Sequence, residues 1–232
     1  MTLIIKKLRY INQDCLKVIA LLTMTIDHIG SILIPTCDFL RLIGRTSFPI
    51  FAFLIAFHLS KHNLFQKYLK RLFIFSILTT IILMPFIPIF PLNILWTFSL
   101  ALMALYGIQY IQKRHKAETF LKYISTCFII YIGGILSILT DYPLFGFFYI
   151  LTLYNWLKTK RFLWCELSLI LSFLMNINLS ITAGVISLLT TFLLIIQKIP
   201  PKNAIRFLKP WWVFYAYYPA HLIILYVLAL TK

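Results

Sequence analysis

Residues 14–49 read DCLKVIALLTMTIDHIGSILIPTCDFLRLIGRTSFP, which is two apolar runs joined by a short turn at residues 35–38. Four ionisable residues lie inside these runs: Asp27, His28, Arg41 and Arg45. We predict a helical hairpin in which Asp27 and Arg45 each lie roughly 10–12 Å below the turn, at 1.5 Å per helical residue. Ionisable groups in apolar segments are costly and by default face a protein interior or a water-filled pocket. The hairpin is therefore the expected functional site.

The composition indicates an integral membrane protein. The chain has 232 residues, of which 61% are hydrophobic and 12% charged, whereas soluble domains carry about 25% charged residues. Apolar stretches near the ~20 residues needed to span a bilayer follow one another from end to end. We predict an all-α, polytopic membrane protein in which residues 1–232 form a single transmembrane domain.

The apolar runs predict nine transmembrane helices, of which the sixth and seventh are short. They lie near residues 15–35, 39–60, 71–90, 94–112, 120–139, 143–157, 162–176, 179–197 and 211–230. With nine crossings, the basic loop residues fall on one side of the membrane, and only Lys232 falls on the other. Because basic loops stay in the cytoplasm, we predict a cytoplasmic N-terminus and an outer C-terminus.

The net charge of +16 does not require a nucleic-acid partner. The basic residues lie in short predicted cytoplasmic loops, where membrane orientation and anionic membrane lipids account for them. We also expect no metal cofactor. His58 and His62 have a spacing that can bind zinc, but no third ligand is near them in the sequence. The four cysteines have no metal spacing and are expected to be packing residues.

Lys17 and His28 are eleven residues apart, which places them on one face of the first helix, about three turns from each other. Lys17 lies near the predicted cytoplasmic edge. His28 lies deeper, and two interpretations are open for it. Its imidazole can act as a general base near neutral pH, or it can be a buried histidine that donates a hydrogen bond to a carbonyl.

Asp27 points about 100° away from His28, so its expected partner is Arg45 or Arg41 on the second helix. Arg41 and Arg45 share a face because they are four residues apart. A structural ion pair and an anion site are both open, and both can hold. Two arginines and one aspartate leave a positive charge that suits phosphate or a developing oxyanion.

Three residues shape the backbone of the hairpin. Pro49 has no amide to bond the carbonyl of Arg45, which loosens the helix beside this arginine. Gly30 and Gly44 are small enough to let the two helices approach closely.

Polar residues also lie near the outer ends of later helices. Asn93 and Asp141 each precede a helix, so capping and a functional role are both open. In the last helix, His221 follows a tyrosine cluster that includes Tyr218 and lies near the expected midplane. A role in a pocket or pathway and a structural hydrogen bond are the two interpretations of His221.

These motifs together resemble the TraX family, named for the acetylase of conjugative pilin. The resemblance covers Asp14, Lys17, Asp27-His28, the pattern L-R-x-x-G-R-x-x-F-P from Leu40 to Pro49, and weaker later motifs. The later motifs are N-I-L-W-T at 93–97, D-Y-P-x-x-G at 141–146 and F-Y-x-Y-Y-P-x-H at 214–221. Pro143 departs from the glycine expected there.

The spacing of Lys17 and His28 is also similar to the start of the acyltransferase-three superfamily, with lysine in place of arginine. This second resemblance implies acetyl-coenzyme A as the donor and His28 as a catalytic residue. We assign Asp27 to the catalytic group as well, because it would fix the geometry of the two arginines. Arg41 and Arg45 match the basic pair of the TraX motif. The match does not establish their role, and we assign them to donor or substrate binding. To the same group we assign Lys17, Asn93, Asp141, Tyr218 and His221.

The sequence therefore predicts an acetyltransferase of the bacterial cytoplasmic (inner) membrane. The acceptor is an amine or hydroxyl group on a pilin-type peptide, a glycan or a small molecule. The main alternative is a transporter or flippase that uses Asp27, Arg45 and His221 for substrate or proton passage. A scaffold protein without chemistry is a third possibility. Transfer from acetyl-coenzyme A would distinguish the enzyme from both.

Overall fold

The computed structural model describes residues 12–62, 64–86, 91–113, 118–197 and 212–231. Within these ranges the regular structure is helical and no strand forms. An isolated parallel bridge joins Leu92 to Thr140. The prediction of an all-α fold is confirmed.

Ten α-helices, numbered in chain order, form the described part of the chain. They are α1 Gln13–His28, α2 Asp38–Gly44, α3 Ser47–Lys61, α4 Phe65–Leu83, α5 Ile94–Gln112, α6 Thr119–Ser137, α7 Phe145–Thr159, α8 Phe162–Leu174, α9 Ile181–Ile196 and α10 Trp212–Leu230. A π-helical segment, Ile29–Leu33, continues α1. Most bounds agree with the apolar runs to within two residues, because the turns that separate the runs interrupt the helices.

The first two predicted helices differ from the structure in their interiors. The α-helix of the first ends at His28, and Ile29–Leu33 is wound more widely as a π-helix. The second is interrupted between Gly44 and Ser47, and Pro49, four residues after Arg45, has no amide to donate to the helix at this break. Both irregularities lie beside the ionisable residues of the hairpin.

The third predicted helix, 71–90, begins too late. In the structure α4 starts at Phe65 and ends at Leu83, so Lys67 and Lys70 lie inside its first turns rather than in a loop. Lysine is a good helix former, and its long side chain can reach water from the end of a membrane helix. The predicted end at residues 87–90 lies outside the described residues.

Five helical segments of the described chain are long and apolar enough to cross a membrane: Gln13–Leu33, Asp38–Lys61, Ile94–Gln112, Thr119–Ser137 and Trp212–Leu230. The helices Phe162–Leu174 and Ile181–Ile196 are apolar but shorter. These segments indicate a multi-pass membrane protein. The basic residues at positions 6–9, 114–116 and 198–209, which support the predicted orientation, lie outside the described residues. The count of nine crossings and the orientation stay predictions.

The chain forms two compact units. The first contains residues 1–55 and 168–232, and the second contains residues 56–167. In the first unit, α1 and α2 form the predicted hairpin, α9 contacts α2, and α10 packs against α1 and its π-helical end. In the second unit, α5 packs against α4, α6 and α7. The assignment of residues 1–232 to one domain stays a prediction.

Candidate functional site

The hairpin of the first unit brings Asp27 together with both arginines. Arg41 donates from Nε to Oδ1 of Asp27 at 3.1 Å, and Arg45 donates from Nη2 to the same oxygen. Arg45 is buried and the other two side chains are partly exposed, with exposed fractions of 10% for Arg45, 15% for Asp27 and 31% for Arg41. This is the expected pairing across the turn, and it joins both arginines to one carboxylate.

Glycine at position 44 makes this pairing possible. A Cβ at Gly44 would lie 2.2 Å from Cβ and 2.5 Å from Oδ1 of Asp27. A Cβ at Gly30 would lie 2.8 Å from that of Leu40. The close approach that the sequence predicts for these two glycines is confirmed. The carboxylate of Asp27 therefore lies directly against the end of α2.

The cluster carries more positive than negative charge. Two guanidinium groups share one carboxylate, and the terminal nitrogens of Arg41 make no hydrogen bond to the described residues. A partly exposed guanidinium with two free NH₂ groups is suited to bind a carboxylate, phosphate or oxyanion with two parallel hydrogen bonds.

Asn176 is a further member of the cluster, and the sequence analysis did not identify it. It is 2% exposed and lies in the turn between α8 and α9. Its Oδ1 accepts from Nη1 of Arg45 at 3.4 Å, and its Nδ2 has no partner among the described residues. The available signal was the polar MNINLS segment at 175–180 between two apolar runs. This signal also fits an ordinary turn.

His28 lies next to the cluster in sequence and contacts the last helix. Its Nδ1 lies 2.8 Å from Nε2 of His221. Nδ1 of His221 lies 2.8 Å from the carbonyl oxygen of Tyr217, and the rings of His221 and Tyr217 are stacked at 5.0 Å. The ring of Tyr218 is 6.2 Å from that of His28. Three residues predicted from two distant segments, His28, Tyr218 and His221, therefore lie together.

Lys17 lies three turns from His28 on α1 and is paired with a carboxylate. Its Nζ donates to Oδ1 of Asp14 at 2.7 Å, and Asp14 is buried. The Lys17 ammonium also lies 5.2 Å from the centre of the Phe214 ring on α10. These contacts hold Lys17 at the start of α1, and the predicted contact with a donor stays a prediction.

Asn93 and Asp141 belong to the second unit. Asn93 lies at the start of α5, and Asp141 lies in the turn after α6. Asn93 caps α5 by accepting from the amide of Leu95 at 3.1 Å, and it donates to Oγ1 of Thr80 at 3.0 Å. The amide of Asp141 donates to the carbonyl of Leu92 at 2.9 Å. The capping interpretation of Asn93 is confirmed, and substrate binding by these two residues stays a prediction.

Comparison with known proteins gives one match over nearly the whole chain. The model of the family described as "TraX protein" matches residues 12–229. A protein of Rickettsia prowazekii (strain Madrid E), named "Uncharacterized protein RP591", is 38% identical over 69 residues. That match covers 30% of this chain and 26% of the Rickettsia protein, so it spans about a quarter of that relative. No solved structure matches the chain. Because the family model covers both units, including His28, Asp27, Arg45 and His221, the chain belongs to the TraX family.

Proposed function

We propose that this protein is a membrane-embedded acetyltransferase that moves an acetyl group from acetyl-coenzyme A to an amine or hydroxyl acceptor. The observation that carries the proposal is the pairing of two chemical functions at adjacent residues. His28 offers an imidazole with one nitrogen that bonds to no described residue, and Asp27 holds two arginines with a net positive charge. Membership of the TraX family supports the same class of reaction.

The imidazole of His28 supplies the base. Its Nε2 accepts a proton from the acceptor's N–H or O–H as the acceptor's nitrogen or oxygen bonds to the thioester carbonyl carbon. The C–S bond then breaks, and the proton on His28 passes to the departing thiolate to give coenzyme A. A positioned base or acid of this kind contributes typically 10²–10⁴-fold to a rate.

The arginines supply positive charge for the donor. Two roles fit the free NH₂ groups of Arg41: stabilising the oxyanion of the tetrahedral intermediate, and binding the phosphates of coenzyme A. In either role Asp27 fixes the guanidinium groups before the substrates bind. The unpartnered Nδ2 of Asn176 adds a neutral donor beside Arg45.

The donor enters from the cytoplasm in this proposal. The N-terminus is cytoplasmic, the chain crosses the bacterial inner membrane nine times, and Lys17 lies near the cytoplasmic end of α1. The distance from Lys17 to His28 along the helix is about 16 Å, which is comparable to the reach of the pantetheine arm. A nucleotide held near Lys17 therefore places its thioester at His28, and the acceptor arrives from the outer side. With the donor in this position, Arg41 stabilises the oxyanion and does not bind the phosphates.

The acceptor is defined only by its chemistry. A neutral imidazole base serves both amines and hydroxyl groups, so a pilin-type N-terminus, a glycan hydroxyl and a small molecule are all compatible. Family membership favours a pilin-type peptide among them.

The test is transfer of labelled acetyl groups by the purified protein in bilayers. We expect label from acetyl-coenzyme A to appear in a covalent product when membrane extracts are supplied as acceptors, with release of free coenzyme A. Mass spectrometry of the product then identifies the acceptor. Transport of an unmodified solute without release of coenzyme A would contradict the proposal and favour the transporter.

A further inference from the structure

The two intramembrane histidines of the first unit form a hydrogen-bonded chain. The atoms in order are the carbonyl oxygen of Tyr217, Nδ1 and Nε2 of His221, and Nδ1 and Nε2 of His28. Each of the two contacts is 2.8 Å long. His28 and His221 are 193 positions apart in the sequence. Their contact therefore depends on the tertiary packing of α1 against α10 and not on local structure.

The direction of donation along these hydrogen bonds is fixed, because a carbonyl oxygen can only accept a hydrogen bond. Nδ1 of His221 must carry the proton that is donated to Tyr217. In a neutral imidazole only one nitrogen carries a proton, so Nε2 of His221 is an acceptor. Nδ1 of His28 must then carry the proton that joins the two rings. The remaining nitrogen, Nε2 of His28, has its lone pair free.

We infer that His221 is a positioning residue that holds His28 in the tautomer with Nδ1 protonated and Nε2 basic. This inference rests on the acetyl transfer proposed above and assigns a separate role to His221. When His28 takes a proton from the acceptor, its Nδ1–H continues to donate to His221, which stabilises the imidazolium ring. His221 does not touch the substrates in this account.

The contacts of His221 favour this role over substrate binding. Both of its ring nitrogens are engaged, one with Tyr217 and one with His28, so neither is available to a ligand. The side chain is 6% exposed, and its ring is stacked on Tyr217. His28, in contrast, keeps one nitrogen without a partner among the described residues.

A second contact fixes the two helices at this level. Oγ1 of Thr25 and the hydroxyl of Tyr217 are 2.7 Å apart. Thr25 and His28 are three residues apart on α1, and Tyr217 and His221 are four apart on α10, so each pair lies on one helix face. Thr25→Val therefore provides a matched control, because it removes this contact and leaves Tyr217, whose backbone carbonyl and ring orient His221, unchanged.

The kinetic test compares three substitutions of His221. Leucine has no acceptor, asparagine has one that is too short to reach the position of Nε2, and glutamine places its amide oxygen near that position. We expect His221→Leu and His221→Asn to lower kcat by roughly 10²-fold or more, the lower range for a positioned base, with KM for acetyl-coenzyme A unchanged. His221→Gln should recover most of kcat, and Thr25→Val should retain it. Equal kcat in the leucine and glutamine variants, or a change confined to KM, would overturn the positioning role.

A spectroscopic test does not depend on turnover. Solid-state NMR of protein labelled with ¹⁵N-histidine in bilayers distinguishes protonated from unprotonated ring nitrogens, and His28→Gln assigns the signals of His28. We expect a neutral His28 with a proton on Nδ1 in the wild type and the opposite tautomer in His221→Leu. A wild-type His28 with its proton on Nε2 would overturn the inference. If the wild type shows the expected tautomer but no acetyl transfer, the proposed function fails and the arrangement of the histidines stands.

Discussion

The two units of this protein differ in the kind of polar side chain that joins their helices. In the second unit, Thr97 donates to Thr140 at 2.9 Å, and Thr80 accepts from Asn93 and from the indole of Trp96, each at 3.0 Å. These groups are neutral, and each bond joins neighbouring helical segments. In the first unit, ionisable side chains join the helices: Asp27 pairs with both arginines, and His28 contacts His221. The terminal nitrogens of Arg41 and Nε2 of His28 bond to no described residue.

This difference indicates a structural role for the polar groups of the second unit and a functional role for the ionisable groups of the first. Neutral polar groups that satisfy one another contribute to packing at a small net gain per hydrogen bond. A buried ion cluster with an unbalanced charge is costly unless a ligand completes it, and such residues in membrane segments indicate function. Asp27 with its arginines, and His28 with one free nitrogen, fit the second description. The predictions below test this contrast.

The largest effect on stability is expected from Asp27→Asn. Removing the carboxylate takes the negative charge away from the buried Arg45 and the partly exposed Arg41. Breaking a buried ion pair in this way costs about 3–5 kcal/mol. Reversible unfolding in mixed detergent would measure the loss, together with the amount of folded protein in the membrane. Glu166→Gln is the control, because Glu166 is an exposed carboxylate on α8 with no ion pair among the described residues. Equal stability of the two variants would mean that the cluster does not hold the hairpin together.

A smaller effect is expected from Gly44→Ala. The new Cβ overlaps Asp27, whose carboxylate must then move away from the arginines, and overpacking of this kind costs typically 1–3 kcal/mol. Gly134→Ala, in the second unit, is the matched control, since its Cβ would meet no atom closer than 3.6 Å. That variant should be neutral or slightly more stable because alanine favours a helix. The measurement is the free energy of unfolding of both variants in mixed detergent. If the two values are equal, Asp27 does not lie against Gly44.

The smallest effect is expected from Asn93→Ala in the second unit. Losing the cap of α5 costs typically about 1 kcal/mol. If capping is the whole role of Asn93, the kcat of the folded protein for acetyl transfer stays close to wild type, and the substrate role predicted from the sequence is wrong. Thermal unfolding and initial rates would be measured on the same preparation. A fall in kcat with unchanged stability would place Asn93 at the substrate and would remove the contrast between the units.

The sequence predicts the parts of this structure that depend on local pattern. Apolar runs and turns predict most helix bounds, and the equal depth of Asp27 and Arg45 below residues 35–38 predicts their pairing. The π-helical turn after His28 has no such signal. The break after Gly44 was only partly indicated, since Pro49 predicts a looser backbone but not where the helix ends.

Contacts between segments that are far apart in the sequence could not be predicted from it. Helical periodicity places His28 on a face of α1 and His221 on a face of α10, but it does not say which faces meet. Asn176 was missed for the same reason, since a polar residue in a turn between apolar runs is expected whether or not it bonds to an arginine. Both contacts come from the packing of elements far apart in the chain.

The most direct test of the account is the single-turnover rate of acetyl transfer by purified His28→Gln protein. His62→Gln, which changes a histidine in the second unit, is the matched control, and donor binding is measured separately by calorimetry. The account predicts that His28→Gln binds acetyl-coenzyme A normally but loses roughly 10²–10⁴-fold in rate, whereas His62→Gln keeps the wild-type rate. A folded His28→Gln protein that transfers acetyl groups at the wild-type rate would contradict it.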